Sequence, residues 1–353
     1  MNNSQQVGLD DIILITGSNG FIGSKVVETL LSRGFRNLRC FVRPSSNLKK
    51  LEGIINNSTQ VKIEIFRGNL LSIDDCVKAA KDISVVYHVA AGIEKTFPGC
   101  YMNSVITTRN LLEATRQNPS LKRFVNVSSF AVYSNMRIRR RGKLDETCHT
   151  EDHFMERCDA YCYGKAKQDE MVLEYARKYA LPFCIIRPGV VYGPNARGAI
   201  HSRVGISPFG PFFHLGGGNR LPLTYIDNCA DAIVLAGIIK GADGQIFNVV
   251  DDNLPTSRKF LRTFKREVKI FRSFFIPFWT FYFFCYLWEK YADWSNGQLP
   301  LAFNRRKCSA EWKGNKYPNQ KIKSYLGWRP RVTTEEGIRR HCEYFRQIER
   351  KDA

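Results

Sequence analysis

The sequence predicts an α/β fold, a doubly wound parallel sheet followed by a smaller C-terminal lobe. Short apolar runs alternate with helical segments from Asp11 to about Val250. A glycine-rich turn joins the first apolar run to the first helical segment. Beyond residue 250 the alternation gives way to a segment dense in aromatics. A chain of 353 residues has room for one large domain and an appended lobe. Hydrophobic residues at 44% and charged residues at 24% are ordinary globular usage, which excludes wholesale disorder.

The runs Ile12–Thr16, Leu38–Val42, Val61–Phe66, Val85–Val89, Phe124–Val127 and Phe183–Ile186 read as strands. All but Val61–Phe66, where Lys62 and Glu64 alternate with apolar residues, are largely apolar, as strands covered on both faces are. Between them Gly23–Arg33, Ile73–Lys81, Ser104–Arg116 and Tyr163–Tyr179 read as helices. Strand–helix–strand units cross over right-handedly and build a parallel sheet with helices on both faces, here of Rossmann type. The predicted domain spans 11–250, with an excursion toward the substrate lobe near 194–224. Residues 251–353 form the predicted C-terminal substrate lobe.

That lobe includes 271–288, which holds eleven aromatics, preceded by Lys265, Arg266, Lys269 and Arg272. Its uninterrupted apolar part is about 15 residues, short of the ~20 that a membrane-spanning helix needs, and Pro277 interrupts it. Three readings stay open: core packing, a lid over an apolar substrate, or peripheral membrane contact through 265–288.

Lysine and arginine number 53 against 33 acidic residues, a net charge of +20 that favours anionic partners. Without a helix-turn-helix, zinc-finger or RNP-type motif the charge does not predict nucleic acid binding. A phosphate-bearing cofactor or an anionic lipid surface accounts for it. The basic run Arg137, Arg139, Arg140, Arg141 and Lys143 reads as a solvated loop. Eleven scattered cysteines, an odd number, point to reduced thiols. Met1–Asp11 is short and polar, without the features of a secretory signal, so a cytoplasmic location is expected, with membrane association open. Cys148, His149, His153, Cys158 and Cys162 lack paired metal-ligand spacing and read as packing and surface residues, with no metal.

Gly17, Gly20 and Gly23 stand in a G-x-x-G-x-x-G spacing after the first strand and at the start of a helix. A turn free of side chains lets the backbone approach a pyrophosphate, and the helix N-terminus supplies N–H donors and a favourable dipole. Gly17, Asn19, Gly20, Phe21, Ile22 and Gly23 are therefore expected to bind a dinucleotide. The second strand ends Cys40-Phe41-Val42, followed by Arg43-Pro44-Ser45-Ser46, with no carboxylate. Arg43 suits the 2′-phosphate of NADP; NAD is the alternative.

The chain resembles the extended short-chain dehydrogenase/reductase family, including its NAD-dependent epimerase/dehydratase and 3β-hydroxysteroid dehydrogenase-like branches. The resemblance runs from Ile12 to about Phe345. It rests on the glycine turn, Gly68-Asn69-Leu70, His88-Val89-Ala90-Ala91, Asn103, Val127-Ser128-Ser129, Tyr161 with Lys165, Arg187-Pro188-Gly189, Tyr192-Gly193-Pro194 and Tyr225-Ile226-Asp227-Asn228. It implies cofactor contacts at Asn69, Leu70, Ala90, Ala91, Asn103, Lys165 and Pro188, and catalysis by Tyr161, Lys165 and Ser129. Asn69 departs from the family's usual aspartate, but its oxygen can accept the same hydrogen bond from adenine. His88 is read as structural.

A free tyrosine titrates near pH ~10, too high for a base at neutrality. An ammonium one helical turn away, together with a bound positive nicotinamide, is expected to lower it, and i,i+4 spacing puts Tyr161 and Lys165 on one helix face. Tyr163 with Lys167 is the rival pair, and Ser128 the fallback for Ser129, the residue expected to hydrogen-bond the substrate oxygen. The leading function is hydride transfer at a hydroxyl or ketone carbon of a hydrophobic ring substrate, steroid-like or lipid. Two alternatives are a nucleotide-sugar 4-epimerase or dehydratase and a non-catalytic cofactor sensor. Arg220 stands one residue off the position at which such epimerases grip a diphosphate. The resemblance also implies a homodimer.

Overall fold

A computed structural model describes residues 4–56, 61–208, 210–296 and 298–352. β1 (Ile13–Thr16) leads through the glycine turn into α1 (Phe21–Ser32) and β2 (Asn37–Val42). α2 (Lys49–Asn56), β3 (Lys62–Arg67), α3 (Ile73–Ala79) and β4 (Val85–His88) follow. α4 (Phe97–Cys100), a π-helical turn over Tyr101–Ile106 and α5 (Thr107–Arg116) form one helical path toward β5 (Arg123–Val127). α6 (Phe154–Arg157) and α7 (Ala160–Tyr179) precede β6 (Phe183–Pro188).

The strands β1 to β6 and β11 (Gln245–Val249) form one parallel sheet in the order β11-β6-β5-β4-β1-β2-β3. Thr16 at the end of β1 lies beside Phe41 of β2 on one side and His88 of β4 on the other. Strand residues divide between two buried layers. Ile13, Ile15, Val85 and Tyr87 pack with Val26 and Leu30 of α1 and with Ile233 of α8 (Ile226–Ile238). Leu14 and Val86 pack with Leu111 and Leu112 of α5 and Val172 of α7. Cover on both faces is why these strands read as continuous apolar runs.

The connection from β6 to α8 carries four short strands: β7 (Val190–Tyr192), β8 (Gly205–Ile206), β9 (Phe212–His214) and β10 (Leu223–Tyr225). β10 runs parallel to β7, while β9 pairs antiparallel with β8 and parallel with β12 (Ser273–Phe275). The excursion is thus tied to the aromatic segment. α9 (Ser257–Glu267) precedes β12, and α10 (Phe278–Trp294), α11 (Arg305–Trp312), α12 (Gln320–Leu326) and α13 (Thr334–Asp352) follow. α12 and Trp328 return to the main sheet, where Ile322, Leu326 and Trp328 are buried with the α1/α8 layer.

The aromatic segment is divided between β12 and α10. Phe278, Phe281 and Cys285 are buried against Cys308 and Trp312 of α11, with Phe281 and Trp312 ring centroids 5.3 Å apart. Among the described residues no helix is long and apolar enough to cross a membrane.

Candidate functional site

The strand order reverses at β1, whose two neighbours β2 and β4 lead away to opposite edges of the sheet. Ligands of open parallel sheets bind beyond the carboxyl ends of strands at such a switch point. A cleft of about 830 Å³ opens there. Gly17, Asn19, Gly20, Phe21, Ile22, Gly23, Arg43, Asn69, Leu70, Ala90, Ala91, Asn103 and Pro188 all line it, as do Ser129 and Tyr161. Lys165 does not; it lies buried beneath.

The glycine turn is set by close backbone approach. Gly17 has φ +66°, and a Cβ on it would lie 3.0 Å from the Ala90 backbone. A Cβ on Gly23 would lie 2.1 Å from the Gly17 carbonyl oxygen, so only glycine lets α1 start this close to β1. The N-cap of α1, Gly20, offers no side-chain cap, and no acidic residue stands in the first turn. The first N–H groups of α1 are therefore left to an anion from the cleft. Asn19 Oδ1 is a buried acceptor with no protein partner among the described residues. An uncapped helix start, an unpartnered acceptor and a long cleft fit a dinucleotide.

Arg43 and Ser46 beyond β2 and Asn69 beyond β3 line one end of the cleft. Arg43 is exposed, with no ion pair among the described residues. Asn69 Oδ1 accepts from the Leu71 N–H at 3.0 Å, and the Asn69 N–H donates to Asp75 Oδ2 at 2.8 Å. Asn103 sits on the π-helical turn, an irregularity frequent at functional sites.

α7 begins at Ala160, three residues before the predicted start, because Asp159 caps it: its Oδ1 accepts from the Cys162 N–H at 3.0 Å. Tyr161 thereby falls in the first helical turn and lines the cleft together with Ser129, whose Oγ accepts from the Ala131 N–H at 3.1 Å. Ser128 instead donates to the buried Asp169 Oδ2 at 2.8 Å. Tyr163 faces elsewhere, its ring edge-on to Phe97 at 5.5 Å and Phe154 at 5.3 Å. Lys167 pairs with Glu170 at 2.6 Å. The structure brings Ser129 and Tyr161 together and leaves the rival pair outside the cleft.

Lys165 Nζ donates to the Val127 carbonyl at 2.7 Å and is 4% exposed. Burial pushes its ammonium down to about 8, with Asp169 opposing. Asp169 accepts from Asn126 Nδ2, Ser128 Oγ and Arg187 Nε at 2.8–3.0 Å, tying β5, α7 and β6 together. Burial pushes the Tyr161 phenol up, with Ser129 and Arg197 opposing. Lys165 Nζ is turned onto the Val127 carbonyl. His88, between Thr16 and Thr108 hydroxyls at 2.8 and 2.9 Å, is held neutral at about 3 by burial and the nearby Lys165.

The other end of the cleft was not legible in the sequence. Arg197, His201, Ser202 and Arg203 line it from the excursion, and Lys307 and Glu311 from α11. Long-range bonds join the two segments: Arg203 Nη1 donates to the Ala310 carbonyl at 2.8 Å, and Ser202 Oγ to Glu311 Oε2 at 2.9 Å. No periodicity in either segment signals this. Asp159, also on the lining, could have been found as the helix cap before Tyr161. Among the described residues, none of 271–294 lines the cleft. The basic run 137–143 does not line it either. No cluster of histidine, cysteine and carboxylate able to hold a metal occurs among the described residues.

The model of the NAD dependent epimerase/dehydratase family matches residues 13–249. The chain belongs to that family, among the extended short-chain dehydrogenases/reductases. It is 24% identical to mouse sterol-4-alpha-carboxylate 3-dehydrogenase (decarboxylating) over 96% of this chain and 91% of the relative. It is 26% identical to an Arabidopsis thaliana trifunctional UDP-glucose 4,6-dehydratase/UDP-4-keto-6-deoxy-D-glucose 3,5-epimerase/UDP-4-keto-L-rhamnose-reductase, covering 95% of this chain and 47% of that protein. Cinnamoyl-CoA reductase 1 of rice (Oryza sativa subsp. japonica) is 28% identical over 54% of the chain and 56% of the relative. The chain thus spans about half the length of several curated relatives. Among solved structures, the Bacillus cereus UDP-glucuronic acid 4-epimerase bound to UDP-glucuronic acid and NAD superposes with a TM-score of 0.67. That match has 22% identity and covers 95% of this chain and 99% of the other, a likeness of fold.

Proposed function

We propose that the cleft transfers a hydride to or from a hydroxyl or ketone carbon of a hydrophobic ring substrate, steroid-like or lipid, with NADP preferred. The observation that carries this is that Tyr161 and Ser129 both line the cleft beside the glycine turn, with Lys165 buried one helical turn beyond Tyr161. Gly17, Asn19, Gly20, Phe21, Ile22, Gly23, Asn69, Leu70, Ala90, Ala91, Asn103 and Pro188 would hold the dinucleotide, and Lys165 its nicotinamide ribose. Arg43 would meet the 2′-phosphate. When bound, the nicotinamide supplies or accepts the hydride. Ser129 then orients the substrate oxygen, and Tyr161 gives it a proton in reduction or takes one in oxidation. Arg197 and the Lys165 ammonium favour the phenolate left after proton donation.

Support for an apolar substrate comes from the walls. Phe130, Ala131, Val190 and Val191 line the cleft near the tyrosine. An adjoining cavity of about 330 Å³ adds Leu221, Leu223 and Phe260 and shares Arg197 and Arg203 with the cleft. A second reading, a nucleotide-sugar 4-epimerase or dehydratase, is favoured by Arg197 and Lys307. Both are cations on the lining without an ion pair among the described residues. Against it, Arg220 donates to the Leu254 carbonyl at 2.7 Å and is not on the lining. We take the chain to act as a homodimer through α5 and α7, supported by an open apolar groove at Leu173, Ala176 and Phe183. Sterols, hydroxysteroids and nucleotide sugars offered with each dinucleotide, with nicotinamide absorbance followed, test the proposal. Turnover of a ring alcohol or ketone is expected; turnover of nucleotide sugars alone would replace it with the second reading.

A further inference from the structure

α10 presents an aromatic stripe to solvent. Trp279, Phe283, Leu287 and Trp294 are 61, 60, 50 and 76% exposed, at spacings that keep them along one side of the helix. The opposite side is already packed against α11, so the stripe is not the unburied half of a misplaced core helix. Phe274 and Phe275 of β12, each at least half exposed, enlarge the apolar surface. Contiguous apolar surface of this kind marks an interaction site.

Its neighbourhood is strongly basic. From Arg258 to Arg272 there are seven lysines and arginines and one acidic residue, Glu267. Arg258, Lys259, Arg262 and Arg272 are exposed, and none has an ion pair among the described residues. The belt is continuous with the rings: the Arg258 guanidinium lies 5.4 Å from the Phe275 ring centroid.

We infer that this face docks on an anionic lipid surface, the rings entering at headgroup depth and the cations meeting lipid phosphates and carboxylates. A second copy fits poorly, because a twofold contact would set one basic belt against another. α10 packs on α11, which also carries Lys307 and Glu311 of the cleft. If the proposed lipid-like substrate is correct, docking brings the cleft within one helix layer of the membrane that holds it. The docking itself does not depend on that reading.

The test is co-sedimentation of the full chain with phosphatidylcholine vesicles and with vesicles also containing phosphatidylserine, at low and high salt. Binding is expected to the anionic vesicles and to weaken with salt. Trp279→Ser with Phe283→Ser should lower it more than about tenfold. Arg258→Gln with Lys259→Gln should lower it by roughly fivefold per residue. Dinucleotide binding, followed by nicotinamide fluorescence, should be unchanged in both variants and reports on the cleft separately. No sedimentation with anionic vesicles, or equal sedimentation of the aromatic variant and the parent, overturns the inference. A dimer that the aromatic variant dissociates, without vesicle binding, would make the face a self-association surface instead.

Discussion

Replacing Lys165 by methionine tests whether this residue is kept for chemistry rather than for stability. Burial lowers its ammonium from an ordinary 10.5 to about 8, which amounts to about 3 kcal/mol against folding at neutral pH. Methionine removes that penalty but leaves the Val127 carbonyl without the donor it has at 2.7 Å, a loss of roughly 1–3 kcal/mol. The cofactor-free variant should therefore lie between unchanged and about 2 kcal/mol more stable than the parent near neutrality. The sign of the pH dependence follows from the depressed folded value. The unfolded chain holds the lysine proton up to about 10.5 and the folded chain only to about 8, so the parent gains stability as pH rises between these values. Urea unfolding of both proteins from about pH 7 to about pH 10 should show the variant's advantage shrinking by roughly 2–3 kcal/mol. Turnover should be lost throughout. A variant more than about 2 kcal/mol less stable at neutrality, or a gap that does not move with pH, would refute the reasoning.

Arg43→Ala should weaken NADP binding by roughly tenfold or more and leave NAD binding nearly unchanged, because only the 2′-phosphate would use that guanidinium. Titration of nicotinamide fluorescence with both dinucleotides checks it, and equal weakening would place Arg43 elsewhere. Asp169→Asn removes the carboxylate 3.0 Å from the buried Arg187 Nε and should destabilise the fold by about 3–5 kcal/mol. Denaturant unfolding measures this, and a loss under about 1 kcal/mol would mean that the pair does not brace β5, α7 and β6.

The Rossmann half was legible because its signals are local. Strands buried on both faces must be apolar throughout, and the Gly17–Gly23 turn announces the first strand–helix junction. α8 was missed for the converse reason: Ile226–Ile238 is buried on nearly every side and shows no helical stripe. The cofactor end of the site could be read along the chain because each contact follows a strand. The substrate end could not, since Arg197 and Lys307 meet only through the docking of the excursion on α11. The aromatic segment was ambiguous because composition does not say which side of a helix is buried; Phe281 and Cys285 go inward and Trp279 and Phe283 outward. The i,i+4 spacing put Tyr161 and Lys165 on one helix face but did not say where the ammonium turns. Lys165 turns to a backbone carbonyl.

The central claim is that the Tyr161 hydroxyl moves the proton, and Tyr161→Phe tests it most directly. With enzyme saturated in dinucleotide and offered the substrate found by screening, turnover should fall by about 10²–10⁴-fold while the dinucleotide dissociation constant stays close to that of the parent. Turnover retained in that variant would contradict the account and move the proton chemistry to another group.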